Sequence, residues 1–121
     1  MSFNLNDSVK EITSYDEIDL NKNAVITFAA PGCGHCKNQI KTLNKVCSEL
    51  DSKVDVCYVV NAASKEGFEI GKQFNQVIRG VPTNLVCSID KNTNMKTCSS
   101  NAGALPENMF KELLRSQKFK I

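Results

Sequence analysis

The feature that most constrains the fold of this chain is a pair of cysteines placed between a buried strand and a helix. Residues 24–30 are apolar except for one threonine, which is typical of a strand buried on both faces of a parallel sheet. A proline and a glycine end that run, and Cys33 and Cys36 open residues 33–50, where apolar side chains recur at helical spacing. A second β-branched strand, residues 54–60, follows. This order predicts a right-handed crossover and a parallel pair of strands.

The remaining segments predict a mixed sheet closed by a helix. Ser14 and Glu17 form a candidate capping box for a short helix. The predicted elements are a strand at 9–12, helices at 16–20 and 64–74, a hairpin of strands 83–89 and 95–99, and a last helix from Pro106 with Met109, Phe110, Leu113 and Leu114 on its buried face. We therefore expect an α/β fold with a mixed central sheet and helices on both faces.

Length and charge narrow the class of protein. The 121 residues suit a single domain over residues 1–121, large enough to fold without disulfides or a metal. The formal net charge of +2 is spread along the chain, which argues against binding to nucleic acid or to a membrane surface. No apolar run has the length of a membrane span. The polar N-terminus lacks the pattern of a secretory signal, so we expect a cytoplasmic protein, or a protein of an oxidising lumen if a signal was removed. We also expect a monomer.

The position of the cysteine pair gives it chemical meaning. The first turn of a helix offers free backbone N–H groups and the positive end of the helix dipole, and both stabilise a thiolate at Cys33. Cys36, one turn further, is placed to resolve a mixed disulfide, and a protonated His35 would favour the thiolate further. A tetrahedral zinc site needs more ligands than the sequence offers here, so we expect no metal.

Two motifs carry a family resemblance. Residues 33–37, CGHCK, resemble the active site of protein disulfide isomerases, and residues 79–83, RGVPT, resemble the loop that faces the cysteines in thioredoxins and disulfide isomerases. Residues 103–105, GAL, are similar to the segment before the family's last helix. On these motifs the chain is identified as a member of the thioredoxin superfamily, and the resemblance runs from about residue 9 to about residue 119.

The resemblance implies the thioredoxin fold and thiol–disulfide exchange with protein substrates. Cys33 would be the nucleophile, Cys36 the resolving thiol and His35 a tuning residue with an oxidising bias. A cis peptide bond is implied before Pro82, and Gly34, Val81 and Pro82 would shape the substrate groove, with the Val81 backbone pairing with an extended substrate. No bound cofactor is implied, because electrons pass to or from another dithiol protein or glutathione.

The chain also departs from the family pattern. Gly32 stands where the family usually has a tryptophan, and the chain contains no tryptophan. Thr27 stands where the family usually buries an acid that relays the proton of the resolving cysteine. We therefore expect a more open groove beside Cys33 and slow deprotonation of Cys36.

The other four cysteines have two interpretations. Cys47, Cys57, Cys87 and Cys98 are expected mainly as small buried apolar residues. A four-residue loop at 91–94 would instead set Cys87 opposite Cys98 across the hairpin, where they would form a cross-strand disulfide or a second redox pair.

Two other functions remain open. One is a glutaredoxin-like reductase that uses glutathione, although glutaredoxins usually have Thr-Val-Pro where this chain has residues 79–83. The other is a non-catalytic thioredoxin-like adaptor. The missing acid and tryptophan favour the adaptor, whereas the intact cysteine pair argues against it.

Overall fold

The computed structural model describes residues 3–121, and its elements follow the predicted order. The strands are β1 (Val9–Ile12), β2 (Asn23–Ala29), β3 (Asp55–Asn61), β4 (Thr83–Ile89) and β5 (Lys96–Ala102). The helices are α1 (Gly34–Cys47), α2 (Lys65–Gln73) and α3 (Glu107–Ser116), with a 3-10 turn at Tyr15–Glu17. The strand–helix–strand unit around the cysteine pair is therefore as the sequence predicts.

The sheet is mixed, and β2 is its central strand. The strand order is β1-β3-β2-β4-β5. β3 runs parallel to both β1 and β2, whereas β4 runs antiparallel to β2 and β5 runs antiparallel to β4. A central strand is covered on both faces, and residues 24–29 are accordingly all buried. The end of β2 thus brings the cysteine pair to the middle of one edge of the sheet.

Helices cover both faces of the sheet, as expected from the pattern of the sequence. Successive residues of β2 point to opposite faces, so Val25 and Ile26 belong to different halves of the core. One half packs β2 against α1 and α3 through Leu43, Val46, Phe110 and Leu114, and the other packs it against α2 and the 3-10 turn region through Ile70 and Ile18.

The short helix expected at 16–20 is a single 3-10 turn. The capping box is present, with Ser14 accepting from the Asp16 N–H and the Glu17 carboxylate accepting from the backbone N–H of Ser14. The helix stops because Ile18 is extended and the next amide, that of Asp19, donates to the Tyr58 hydroxyl at 2.8 Å. That bond draws the amide out of the helical pattern.

Two further expectations need correction. β5 ends at Ala102 rather than near residue 99, because its antiparallel pairing with β4 continues to Thr83. Met109 was expected on the buried face of α3, but it is 56% exposed. Phe110 and Leu114, four residues apart, form the buried stripe instead, and Met109 lies about 100° round the helix from Phe110.

Of the four cysteines expected as small buried apolar residues, Cys47, Cys57 and Cys87 are buried and Cys98 is exposed, and all four form disulfides. Cys87 and Cys98 lie directly opposite each other across the hairpin and are joined, which confirms the cross-strand alternative. Cys47, the last residue of α1, is joined to Cys57 of β3, a pairing that the sequence did not suggest. Cys33 and Cys36 are the free cysteines.

Candidate active site

The cysteine pair lies where β2 ends and α1 begins. Cys33 is the N-cap of α1, and Gly34 and His35 are the first two residues of the helix. The Sγ atom of Cys33 accepts a hydrogen bond from the backbone N–H of Cys36 at 3.2 Å. A sulfur at an N-cap occupies the place of the usual capping oxygen, where the unpaired amides and the helix dipole favour a negative charge.

The two sulfurs differ in burial. Cys33 is partly exposed, whereas Cys36 is 1% exposed. Burial, reinforced by the hydrogen bond with the Cys33 side chain, raises the pKa of the Cys36 thiol to about 11. An external disulfide can therefore reach Cys33, while Cys36 is held as a neutral thiol behind it.

The loop before β4 supplies the second part of the site. The Val81–Pro82 peptide bond is cis. Thr83 Oγ1 donates to the Gly80 carbonyl at 2.7 Å, and the Pro82 carbonyl accepts from the Gly103 N–H at 2.8 Å, so this loop is fixed on both sides. Val81 packs against the same half of the core as Cys33. Within residues 3–121, the N–H and C=O of Val81 make no hydrogen bond, so both are available to a ligand.

A buried chain of polar side chains lies in the layer between β2, β4 and α1. Thr27 and Asn84 face each other across β2 and β4, and the Thr27 hydroxyl donates to Asn84 Oδ1 at 2.7 Å. Asn84 Nδ2 donates to Gln39 Oε1 at 3.0 Å, and Gln39 exchanges two hydrogen bonds with the backbone of Leu105. Thr27, Gln39 and Asn84 are fully buried. We call these three residues the polar triad.

The polar triad occupies the region where the family resemblance implies a buried acid. It consists of a hydroxyl and two amides that hydrogen-bond to one another, and it contains no ionisable group. The family pattern points to Thr27, whereas no motif in the sequence points to Gln39 or Asn84. One signal was available, because Gln39 lies on the buried face of α1 among Cys36, Ile40 and Leu43. A buried glutamine without a partner is costly, so its position on that face indicates a hidden network.

The surface beside the cysteines is open. A cavity of about 320 Å³ is lined in part by Phe3, Gly32, Cys36 and Ile40. Nothing lies within 4 Å of the place where a Gly32 side chain would begin. The φ angle of Gly32 is +80°, a backbone conformation that glycine adopts easily and that other residues adopt at a cost.

Residues 3–121 hold no group of three or more His, Cys, Asp or Glu side chains that is arranged to bind a metal ion. In the same part of the chain no helix combines the length and apolar character needed to cross a membrane.

Comparison with known proteins places this geometry in a family. The family model for thioredoxin matches residues 8–115. A search of curated protein sequences finds no significant match. Among solved structures, the chain is similar to chloroplastic thioredoxin z, with 20% identity, a TM-score of 0.69 and coverage of 95% of this chain and 98% of that one.

Two further thioredoxins show the same likeness. The thioredoxin of Malassezia sympodialis has 22% identity and a TM-score of 0.69, and the alignment covers 95% of both chains. The thioredoxin of Nicotiana alata has 19% identity and a TM-score of 0.67, with 97% of this chain and 98% of that chain covered. At these identities the likeness establishes a shared fold.

Proposed function

The chain belongs to the thioredoxin family, and from this premise we propose that it is a thiol–disulfide oxidoreductase that acts on protein substrates through Cys33 and Cys36. The observation that carries the proposal is the N-cap geometry. A partly exposed sulfur accepts the Cys36 N–H at the start of α1, and a buried second sulfur lies one turn behind it. This arrangement supplies an attacking thiolate and a resolving thiol.

Reduction of a substrate proceeds in two exchanges. The Cys33 thiolate attacks one sulfur of the substrate disulfide, an S–S bond forms between them, and the other substrate sulfur leaves as a thiolate. Cys36 then loses its proton and attacks the Cys33 sulfur, which releases the second substrate thiolate. The substrate gains two electrons and the chain is left with a Cys33–Cys36 disulfide. A dithiol protein or glutathione returns the electrons, and the same steps in reverse oxidise a substrate.

The loop at Val81 and Pro82 supports binding of an extended substrate segment. The free N–H and C=O of Val81 provide one donor and one acceptor, as pairing with a strand requires. The hydrogen bonds of Thr83 and Gly103 hold the loop in place, so this edge is preorganised. Gly34, next to Cys33, has no side chain, and nothing lies within 4 Å of the place where one would begin.

His35 supports an isomerase-type redox poise within the same proposal. It is the second residue of α1, exposed and adjacent in sequence to the buried Cys36. An imidazole in the first turn of the helix offers a ring N–H donor, and a donor near the cysteines favours the thiolates of the reduced form, which makes the oxidised form a stronger oxidant.

Insulin reduction in the presence of dithiothreitol tests the proposal. We expect catalysis by the unsubstituted chain and none by Cys33→Ser or Cys36→Ser. When Cys36→Ser is incubated with insulin before any dithiothreitol is added, it should accumulate mixed disulfides at Cys33 on non-reducing gels. Thr97→Val, a substitution at an exposed residue of β5 outside residues 33–36, is the control and should retain turnover. Equal slow rates in all four proteins would refute the proposal and favour the adaptor function.

A further inference from the structure

The two disulfides differ in how their residues meet solvent. Cys47 and Cys57 border a surface cavity of about 560 Å³, yet they are only 5% and 2% exposed, so both ends of that bond are buried. Cys87 is 1% exposed, whereas its partner Cys98 lies on the exposed strand β5. Only the Cys87–Cys98 bond joins a residue that solvent reaches to one that solvent does not reach.

This asymmetry is the one that separates Cys33 from Cys36. In both pairs one cysteine is accessible and the other is shielded. Thiol–disulfide exchange requires an attacking thiolate to approach a sulfur along the S–S axis, so access decides which sulfur is attacked. The accessible residue of the hairpin pair is therefore the entry point, and the shielded one is the leaving sulfur.

A lysine borders the same small crevice as the shielded residue of this pair. Cys87 borders a small crevice together with Phe74 and Lys96, and the Lys96 ammonium lies 4.9 Å from the centre of the Phe74 ring. Lys22 and Asp19 also border this crevice, but they form an ion pair with each other at 3.9 Å, which leaves Lys96 as its net charge. A neighbouring cation stabilises a thiolate and makes that sulfur a better leaving group.

We propose that Cys87 and Cys98 form a second thiol–disulfide exchange site, at which a small thiol of the glutathione class attacks Cys98. Successive side chains of a strand point to opposite faces, so the neighbours of Cys98 on its own face of β5 are Lys96 and Ser100. A thiol that carries carboxylates therefore meets a cation and a small side chain there. The Cys47–Cys57 bond, with both ends buried, has a structural role only. This second site lies outside the machinery of Cys33 and Cys36 and extends the proposed function.

The exchange is a two-electron reduction in two steps. A thiolate RS⁻ attacks the Cys98 sulfur, an RS–S bond forms, the Cys87–Cys98 bond breaks, and Cys87 leaves as a thiolate. A second RS⁻ attacks the sulfur of the bound thiol, which yields RSSR and the Cys98 thiolate. Two monothiols are thereby oxidised to one disulfide, the chain gains two electrons, and the two cysteine thiolates take protons from water. The reverse reaction closes the bond with RSSR as oxidant.

A redox titration of the unsubstituted chain is the first test. The chain is equilibrated in glutathione buffers of increasing reduced-to-oxidised ratio, quenched in acid, alkylated and mapped by peptide mass spectrometry. We expect Cys87 and Cys98 to become alkylated at a ratio at least about tenfold more oxidising than the ratio that opens Cys47–Cys57. The enclosed bond is the internal control. If it opens first, or if both open together, the proposal is wrong.

A trapping experiment identifies the attacked sulfur. Cys87→Ser and Cys98→Ser are each made in a chain that also carries Cys33→Ser and Cys36→Ser, and both are incubated with oxidised glutathione. We expect Cys98 to acquire glutathione at least about tenfold faster than the shielded Cys87. Equal or reversed rates would overturn the assignment. Because neither chain has a dithiol at residues 33–36, the result does not depend on the proposed function, and the titration above needs no substitution.

Discussion

At the residue scale, Cys36 combines a chemical task with a site that opposes it. The attack on a mixed disulfide that we propose for it requires the thiolate, yet burial raises the pKa of the Cys36 thiol to about 11. The thiol is the dominant form below that pKa, and the fraction of thiolate grows as the pH rises towards it. The fully buried polar triad near β2 offers amides and a hydroxyl, which do not accept the proton as a carboxylate would.

The rate of this resolving step should therefore rise steeply with pH. Between pH 7 and pH 9 we expect an increase of about tenfold per pH unit, because each unit below the pKa reduces the thiolate fraction by that factor. Stopped-flow reaction with an aromatic disulfide measures it, since the second chromophoric thiolate is released only when Cys36 attacks. Cys36→Ser should release one equivalent, and a rate for the unsubstituted chain that is flat over this range would contradict the expectation.

A second prediction at this scale concerns His35 and the reduction potential of the Cys33–Cys36 pair. Replacement by proline gives the Cys-Gly-Pro-Cys sequence and removes the imidazole with its ring N–H donor, so the thiolates of the reduced form lose a hydrogen-bond donor. We expect His35→Pro to lower the reduction potential by up to about 90 mV, the difference between isomerase and thioredoxin potentials. Equilibration with glutathione buffers measures it. Lys37→Gln, which removes a charge from the next exposed position beyond Cys36, serves as a comparison, and an unchanged potential in His35→Pro would exclude the tuning role.

At the scale of elements, the polar triad ties α1 to β2 and β4. The hydrogen bonds from Thr27 to Asn84 and from Asn84 to Gln39 cross three elements, and Gln39 also holds the Leu105 backbone ahead of α3. Gln39 lies three residues after Cys36, and Asn84 lies two residues after Pro82. The triad thus links α1, which begins at the cysteine pair, to β4, which follows the loop at Val81 and Pro82.

Breaking one link should be costly. Thr27→Val keeps the shape of the side chain but leaves Asn84 Oδ1 buried without its donor. We expect a loss of about 1–3 kcal/mol in the free energy of unfolding, the usual cost of an unsatisfied buried polar group. Urea denaturation measures it. Thr97→Val, at an exposed threonine of β5, is the matched control and should change stability by less than about 0.5 kcal/mol; equal effects at both sites would show that the triad contributes little.

Two glycines in the first turns of helices show how packing differs between α1 and α2. A methyl group on Gly67 would overlap the backbone carbonyl of Asn61 at the end of β3, and backbone atoms cannot move aside cheaply. Nothing lies within 4 Å of the corresponding position on Gly34. Gly67 therefore permits α2 to lie directly against the end of β3, whereas the start of α1 faces open space.

Alanine substitution should separate the two positions. We expect Gly67→Ala to lower the stability of the fold by more than about 1 kcal/mol, as overpacking of a close contact does. Gly34→Ala should be neutral or stabilising by up to about 1 kcal/mol, because alanine favours helix over glycine. Thermal and urea unfolding of both variants measure the difference, and a stable Gly67→Ala protein would show that α2 can shift away from Asn61.

At the scale of the whole molecule, the sequence predicts those features that depend on short segments of the chain. The β2–α1–β3 unit follows from apolar periodicity, and the register of Cys87 and Cys98 follows from the length of the hairpin loop. The disulfide of Cys47 does not follow from any local pattern, because its pairing with Cys57 depends on where the end of α1 crosses β3. The polar triad joins residues 27, 39 and 84, which no single segment brings together, so only the folded chain reveals it.

The positive φ angle of Gly32 has a practical consequence for spectroscopy. The chain has no tryptophan, so its redox state produces no change in indole emission, the optical signal that a neighbouring disulfide would quench. Position 32 looks vacant, yet an indole placed there would carry a backbone penalty of about 1–2 kcal/mol for the left-handed conformation. A fluorescent reporter of oxidation belongs instead on a neighbouring residue whose backbone angles suit any side chain.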